Sequence, residues 1–335
     1  MTKKAKVKFP SELRFDPVSK DWILIATGRA KRPENFANEA RTSQSFGGSK
    51  STCPFCQIEK EKGLLKYKDK KGDWFVKVVP NKYPPFLPGA GLNKREEGPY
   101  QVMDGVGFAE VVITRDHVRS MAQFSVSEIR QVLDAYQERY LDLMNEKFVN
   151  YVSIFHNYGK TAGATISHPH SQIVTHPISD PDVNRSLLGS AEYWRKHKKC
   201  VHCVMLDFDK KDGQRIIFEN EDFLVVCPFA SRIAFETRIY PKRHFAYFER
   251  IKDKEKDSLA EAFKIALAKI YKALNNPDYN FFLHTAPCDG KNYDHYHWHF
   301  EILPKTSTWA GFELGTGIEI STIEPEKAAE YLRKM

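Results

Sequence analysis

His168-Pro169-His170-Ser171-Gln172 returns later in the chain as His297-Trp298-His299-Phe300-Glu301, and each copy is preceded by the same kind of metal-ligand set. Ahead of the first stand Cys53-Pro54-Phe55-Cys56 and His117; ahead of the second stand Cys200-Val201-His202-Cys203 and His244. Cysteines two residues apart can hold one ion from a tight turn, and two distant imidazoles complete a tetrahedral Zn²⁺ shell. The stretch from lone His to His-x-His is nearly equal in the two copies (117 to 168 and 244 to 297), which points to a duplicated unit. In an extended strand residues i and i+2 share a face. A metal histidine therefore holds a second histidine beside it, His170 in one copy and His299 in the other.

Working outward, each half reads as strands, one long helix, then strands. In the first half the apolar, β-branched runs Trp22 to Ala26, Trp74 to Val79 and Ala109 to Thr114 predict strands. Ser125-Val126-Ser127-Glu128 is a capping box, followed by Ile129, Val132, Leu133, Tyr136, Tyr140, Leu143 and Met144 at helical spacing. Tyr151 to Phe155 and Ser171 to Thr175 supply closing strands. The second half repeats the order with Ile216 to Phe218, Phe223 to Val226, Ala234 to Tyr240, a helix from Asp253 to Leu274, then Tyr279 to His284 and Tyr296 to Leu303. Strands in runs with one helix per unit predict an α+β fold with mainly antiparallel sheets. The boundary is expected near Pro177 to Ser190, giving units 1–185 and 186–335. The Ser-, Gly-, Thr- and Asn-rich stretch 38–52 reads as a mobile loop.

Composition sets the class. The chain has 335 residues, 41% hydrophobic and 13% aromatic, enough for two packed units. Its formal net charge of +8 suits phosphorylated ligands, although solvated lysines account for it equally well. The basic start Met1-Thr2-Lys3-Lys4 lacks a following apolar run, and no stretch has membrane-spanning length, so a cytoplasmic protein is expected. Four of six cysteines fall in Cys-x-x-Cys pairs, which in a reducing compartment bind metal or do redox chemistry. Cys227 and Cys288 read as ordinary buried thiols.

The ordered pieces Arg14-Phe15-Asp16-Pro17, Trp22 to Ala26, Arg29-Ala30-Lys31-Arg32-Pro33, Cys53 to Cys56, Val79-Pro80-Asn81-Lys82-Tyr83-Pro84, Asn157-Tyr158-Gly159 and His168 to Gln172 resemble the galactose-1-phosphate uridylyltransferase family. Phe235-Glu236-Thr237, Pro241 to His244, His297 to His299 and Gly311-Phe312-Glu313 continue the resemblance over nearly the whole chain. That family belongs to the histidine-triad superfamily and has ADP-sugar phosphorylase and adenylyltransferase relatives. The resemblance implies two tandem histidine-triad-like domains, each a half-barrel sheet with packed helices, and a homodimer whose partner chain helps bind the sugar.

His170 is the expected nucleophile. A neutral imidazole can attack the α-phosphorus of a nucleotide sugar and split one hard transfer into two easier ones. Its second ring nitrogen must then donate to a fixed acceptor, commonly a backbone carbonyl. Gln172 shares the face and is placed to donate to a phosphate oxygen as charge builds there, the role the resemblance assigns to it. Arg29 and Arg32 match family arginines near nucleotide and phosphates; alone they read equally as a solvated charge run. Asn81, Tyr83 and Asn157 match residues that contact base, ribose or phosphate, and Phe312 stands in the family's Gly-aromatic-Glu element. Gly159 and Gly163 permit close backbone approach to pyrophosphate or serve as turn glycines.

In the second copy Glu301 replaces the glutamine, and a carboxylate beside a phosphoryl group repels developing charge. His297 is therefore read as a structural zinc ligand and His299 as a relic. Some family members bind iron near this second site, which keeps His284 and His299 as minor metal candidates.

The resemblance implies first a ping-pong transfer of UMP from UDP-glucose to galactose 1-phosphate, with no cofactor but two structural Zn²⁺ sites. Its alternative is an ADP-sugar or dinucleotide phosphorylase or adenylyltransferase using inorganic phosphate. Ser307, where the galactose enzymes have lysine, and Leu314-Gly315-Thr316-Gly317-Ile318, which is more like the adenylyl-transferring relatives, keep the alternative open. A third class, a twin zinc-ribbon protein on nucleic acid, predicts short Cys-x-x-Cys…Cys-x-x-Cys units, unlike the long Cys₂His₂ spans here, so no nucleic-acid or membrane partner is expected.

Overall fold

The computed structural model describes residues 11–26, 33–37, 49–58, 63–69 and 71–335. Its strands are β1 (Glu12–Phe15), β2 (Trp22–Ile25), β3 (Leu65–Lys68), β4 (Trp74–Pro80), β5 (Arg95–Glu97), β6 (Tyr100–Val102), β7 (Ala109–Thr114), β8 (Tyr151–Tyr158) and β9 (His170–His176). The second half supplies β10 (Ile216–Glu219), β11 (Phe223–Val226), β12 (Thr237–Pro241), β13 (Tyr279–His284), β14 (His299–Pro304) and β15 (Ile320–Ser321). The helices are α1 (Pro33–Ala37), α2 (Val126–Leu143), α3 (Pro181–His197), α4 (Val201–Asp212), α5 (Asp253–Ala273), α6 (Gly311–Thr316) and α7 (Pro325–Arg333).

Ten strands form one antiparallel sheet in the order β10-β11-β12-β14-β13-β8-β9-β7-β4-β3. Read from its centre, the order β8-β9-β7-β4-β3 mirrors β13-β14-β12-β11-β10, so the duplication seen in the ligand spacing is also a duplication of topology. The two five-strand halves join where β8 pairs with β13, Phe155 opposite Phe282 and Asn157 opposite Asn280. The α+β architecture expected from the sequence is present, with the two half-sheets fused into one.

One face of this sheet carries the long helices. The Ser125–Glu128 capping box starts α2, whose Ile129, Val132, Leu133, Tyr136, Tyr140 and Leu143 are buried. Together with Leu259, Phe263, Ala266 and Ile270 of α5 and the inward residues Val112, Ile154, Ile173, Phe281 and Phe300, they make one core that crosses both halves. Each such aliphatic or aromatic side chain contributes about 1.5–3 kcal/mol when removed from water. Because strand residues alternate, the neighbours of these core positions point to the opposite face. That face holds His170, Gln172 and Asn157.

Two features refine the expected organisation. Helix α3 runs through the position where the halves were expected to part, its N-cap Asp180 accepting from the Asp182 amide with proline at the first turn. The strands β1 and β2, from the first half in sequence, form a three-stranded sheet with β15, in which β2 pairs with both β1 and β15. They pack on the second half through Arg14 on Glu326 (2.9 Å) and Asp16 near Arg238 (3.7 Å). Of the stretch expected to be a mobile loop, only 49–52 lies within the described residues, where it forms a turn. Among the described residues no helix is long and apolar enough to cross a membrane.

Candidate active site and metal-ligand clusters

The Cys53-Pro54-Phe55-Cys56 turn, closed by the Cys56 amide on the Cys53 carbonyl (3.1 Å), faces His117 and His168. Cys56 Sγ lies 3.2 Å from His117 Nδ1 and 3.5 Å from His168 Nδ1, Cys53 Sγ 3.5 Å from His168 Nδ1, and the two Nδ1 atoms 3.2 Å apart. A tetrahedral zinc with its usual bond lengths has ligand–ligand edges of about 3.3–3.8 Å. These spacings fit edges of one coordination shell. His168 Nε2–H donates to the Thr114 carbonyl (2.6 Å), which leaves Nδ1 as the ligand atom. Burial and the adjoining Cys53 sulfur push the Cys56 thiol up to about 11, a condition that a bound cation removes by taking the thiolate.

The second cluster repeats this arrangement with one change. Cys200 caps helix α4 and Cys203 lies within its first turn, so this Cys pair is presented by a helix start where the sequence suggested a turn. Cys203 Sγ is 3.4 Å from His244 Nδ1 and 3.5 Å from His297 Nδ1. His244 Nε2 donates to the Asp294 carbonyl and His297 Nε2 to the Pro241 carbonyl, both at 2.8 Å. The Pro241 acceptor ends β12 as Thr114 ends β7. In each cluster the four ligand atoms lie within 4.8 Å of one another, so both groups could hold a metal ion.

Beside the first cluster, His170 Nδ1 donates to the His168 carbonyl at 2.8 Å. The tautomer is thereby set, and Nε2 meets no partner among the described residues. Burial lowers the affinity of His170 for a second proton, so the ring stays neutral and nucleophilic at pH 7. Phe55, between the two cysteines, packs its ring against His170 at 4.9 Å and His168 at 5.8 Å. The metal turn thus also props the imidazole. Gln172 follows on the same face, opposite Phe155 of β8 and Val111 of β7. Asn157, one strand over, extends the same row.

Behind the strand, Ser171 points into the core. Its hydroxyl meets Tyr136 Oη at 2.5 Å and His156 Nδ1 at 2.9 Å. His156 is buried and stacks on Phe281 at 4.9 Å, and burial lowers it to about 3. These three residues, with Phe55, are parts of the site that the motif reading did not identify.

The pseudo-equivalent position in the second half is chemically different. His299 Nδ1 lies 3.2 Å from the His297 carbonyl, and its Nε2 lies 3.2 Å from the Glu301 carboxylate. Burial acts to raise Glu301, but Arg232 and Arg238 outweigh it and hold the carboxylate ionised. Arg232 bonds it directly, and Arg238 Nε lies 3.1 Å away. His284 completes a third group with His299 and Glu301, and its Nε2 is 3.8 Å from Asp182. The nitrogen that is open in His170 is occupied in His299.

The remaining candidates are spread more widely. Asn81 closes a small turn by accepting from the Tyr83 amide (2.9 Å), and Tyr83 itself is 81% exposed. Phe312 projects from α6, 48% exposed. None of these three makes a ring contact or hydrogen bond with His170 among the described residues. Arg29 and Arg32 lie outside the described residues. Gly159 and Gly163 both have φ of +86°, and a Cβ on Gly159 would stand 2.0 Å from the Asp278 carboxylate, so both are required as glycine by the backbone. Cys227 is fully buried and Cys288 partly so, each thiol raised by burial.

The sequence profile described as galactose-1-phosphate uridyl transferase, N-terminal domain, matches residues 2–179. The chain belongs to this family. A second profile, a domain of unknown function, matches 104–334. The chain is 33% identical over 332 residues to ADP-glucose phosphorylase of Arabidopsis thaliana, covering 97% of this chain and 93% of the relative. It is 28% identical to galactose-1-phosphate uridylyltransferase of Thermotoga maritima, covering 96% and 98%. Among solved structures, an ADP-glucose phosphorylase from Arabidopsis thaliana with bound ADP-glucose superposes with a TM-score of 0.80 at 29% identity, covering 97% of this chain and 98% of that one. These relatives support nucleotidyltransferase or phosphorylase chemistry on sugar nucleotides.

Proposed function

We propose that the protein transfers a nucleotidyl group through His170 by a two-step, ping-pong route. Nε2 attacks the α-phosphorus of a nucleotide sugar; the P–N bond forms as the bond to the β-phosphate oxygen breaks, and sugar 1-phosphate leaves. In the second step an acceptor phosphate oxygen attacks the same phosphorus, and the P–N bond returns its electrons to His170. The observation that carries this reading is the contrast between two equivalent imidazoles: in each, Nδ1 faces the carbonyl two residues back, but Nε2 of His299 meets the Glu301 carboxylate whereas Nε2 of His170 is open among the described residues.

The other residues take roles around that step. While His170 carries the nucleotidyl group, Nδ1–H retains its proton against the His168 carbonyl, which stabilises the cationic ring. Gln172 donates to a non-bridging oxygen as charge grows in the transition state. Asn157 and the backbone around Gly159 to Gly163 hold the diphosphate, with Arg29 and Arg32 as further phosphate ligands. Zn²⁺ in the two Cys₂His₂ clusters supplies cross-linking only, since four protein ligands leave no position for water. In this division residues 1–185 carry the chemistry, and 186–335, with His297 as a zinc ligand, carry structure.

The favoured donor is an ADP-sugar with inorganic phosphate as acceptor, giving ADP and sugar 1-phosphate. Support comes from the 33% identity to the plant ADP-glucose phosphorylase, from Ser307 and from the Leu314 to Ile318 segment. The second reading, UMP transfer from UDP-glucose to galactose 1-phosphate, is favoured by the family description and the Thermotoga relative. Exposed Tyr83 and Phe312 suit a homodimer in which each chain completes its partner's sugar site. A turnover screen of ADP-glucose and UDP-glucose against phosphate and galactose 1-phosphate tests the choice. Phosphate-dependent release of ADP and glucose 1-phosphate is expected; UDP-galactose formation with no such release would establish the second reading instead.

A further inference from the structure

The segment from Gly159 to Pro169 joins the end of β8, where Asn157 sits, to His170 at the start of β9. Two side chains of the second half grip it. Asp278 accepts from the Thr161 amide (2.8 Å) and hydroxyl (2.6 Å), and its carboxyl fills the space that a Cβ on Gly159 would need. Asn280 Nδ2 donates both to the Ala162 carbonyl (2.8 Å) and to Asn157 Oδ1 (2.7 Å).

The Ala162 contact fixes which way both amides face. A backbone carbonyl only accepts, so the atom of Asn280 that meets it must be the NH₂ group. The second hydrogen of that NH₂ then requires an acceptor on Asn157, which places Oδ1 there and turns the Asn157 NH₂ outward. An outward NH₂ presents donors, the polarity an anionic phosphate oxygen needs. Left to itself, a half-exposed asparagine would offer either end.

We infer that Asn280 and Asp278 are positioning residues for the nucleotidyl transfer: Asn280 sets the amide polarity of Asn157, and Asp278 holds the Gly159–Gly163 loop against the diphosphate. This rests on the proposed role of Asn157 and extends it to the half of the chain that carries no nucleophile. Nothing local in the sequence marks either residue, since only the β8–β13 pairing brings them to the site.

A double-mutant cycle tests it on the metal-loaded protein, reading single-turnover nucleotidylation from ADP-glucose or UDP-glucose, whichever turns over. Asn280→Asp is isosteric but cannot donate to either acceptor; Asn157 then turns its NH₂ toward the new carboxylate and its oxygen toward the phosphate. Its nucleotidylation rate is expected to fall by ~10–100-fold with a much smaller change in KM. Asn157→Ala should slow the step similarly, and Asn157→Ala/Asn280→Asp should be no slower than Asn157→Ala alone. Asp278→Asn, which keeps an acceptor, should retain most activity that Asp278→Ala loses. A wild-type rate in Asn280→Asp beside a slow Asn157→Ala would overturn the inference alone. An unimpaired Asn157→Ala would overturn the assignment of Asn157 and the inference with it. Multiplying losses in the double variant would show that Asn280 acts elsewhere. Should Asn280→Asp lose metal or fail to fold, the Asp278→Asn and Asp278→Ala pair decides: equal losses in both refute positioning.

Discussion

Replacing Ser171 by alanine tests how the strand that carries His170 is anchored, because the Ser171 hydroxyl is shared by Tyr136 and His156 in a water-excluded layer. Tyr136 is fully buried and His156 nearly so, and the Ser171 hydroxyl is the bond partner of the Tyr136 hydroxyl and of His156 Nδ1. His156 Nε2 already lacks a partner among the described residues, so no second bond compensates. Ser171→Ala therefore orphans two buried polar atoms at about 1–3 kcal/mol each, or about 2–6 kcal/mol together. Tyr136→Phe removes one of the two groups outright and leaves the Ser171–His156 bond in place, for a cost of about 0.5–1.5 kcal/mol. Adding Tyr136→Phe to Ser171→Ala should restore part of the loss, because one orphan disappears. Urea unfolding of the metal-saturated proteins, compared at unchanged m, measures all three. A Ser171→Ala variant no less stable than Tyr136→Phe, or a double variant weaker than both, would refute this account of the buried network.

Three further outcomes are expected. His156 is neutral in the folded chain down to about pH 3, whereas an unfolded histidine takes up its proton near pH 6.5, so the unfolded state binds more protons across that window. Stability is therefore complete above pH 6.5 and declines on acidification by up to about 1.4 kcal/mol per pH unit from this group; His156→Asn should show a shallower slope by one proton. His168→Ala should lose metal and unfold at lower urea, whereas His170→Ala should keep both metal and stability while losing transfer, measured by metal analysis and turnover. Gln172→Ala should slow both half-reactions by ~10²–10³-fold with far less change in nucleotide-sugar affinity, read by single-turnover kinetics.

Much of the site was readable because its signals are local. The His-Pro-His-Ser-Gln alternation puts His170 and Gln172 on one face whatever the rest of the fold does, and the Ser125–Glu128 box with its apolar stripe fixes α2 within a residue. The strands Ala109–Thr114, Phe223–Val226 and Tyr279–His284 carry enough β-branched and aromatic residues to be read with their observed bounds. Short strands such as β3 and β5, rich in charge and largely exposed, have no such pattern and take their structure from a neighbour. Asp180-Pro181 is a helix start by sequence, yet it lies where the boundary between the halves was expected, and α3 occupies it. Fusion of the two half-sheets, the Ser171–Tyr136–His156 network and the grip of Asp278 and Asn280 on the Gly159 loop depend on pairings across the chain. The candidates Asn81, Tyr83 and Phe312 rest on family resemblance alone.

The central claim is a covalent bond between phosphorus and His170. Incubating the protein with ADP-glucose labelled at the α-phosphorus, and in parallel with UDP-glucose so labelled, then denaturing it without acceptor, measures that bond directly. The account predicts near-stoichiometric, acid-labile label on the peptide containing His170, discharged on adding acceptor and absent from His170→Ala but present in His299→Ala. Turnover of either donor without retained label, or label that survives in His170→Ala, would contradict it.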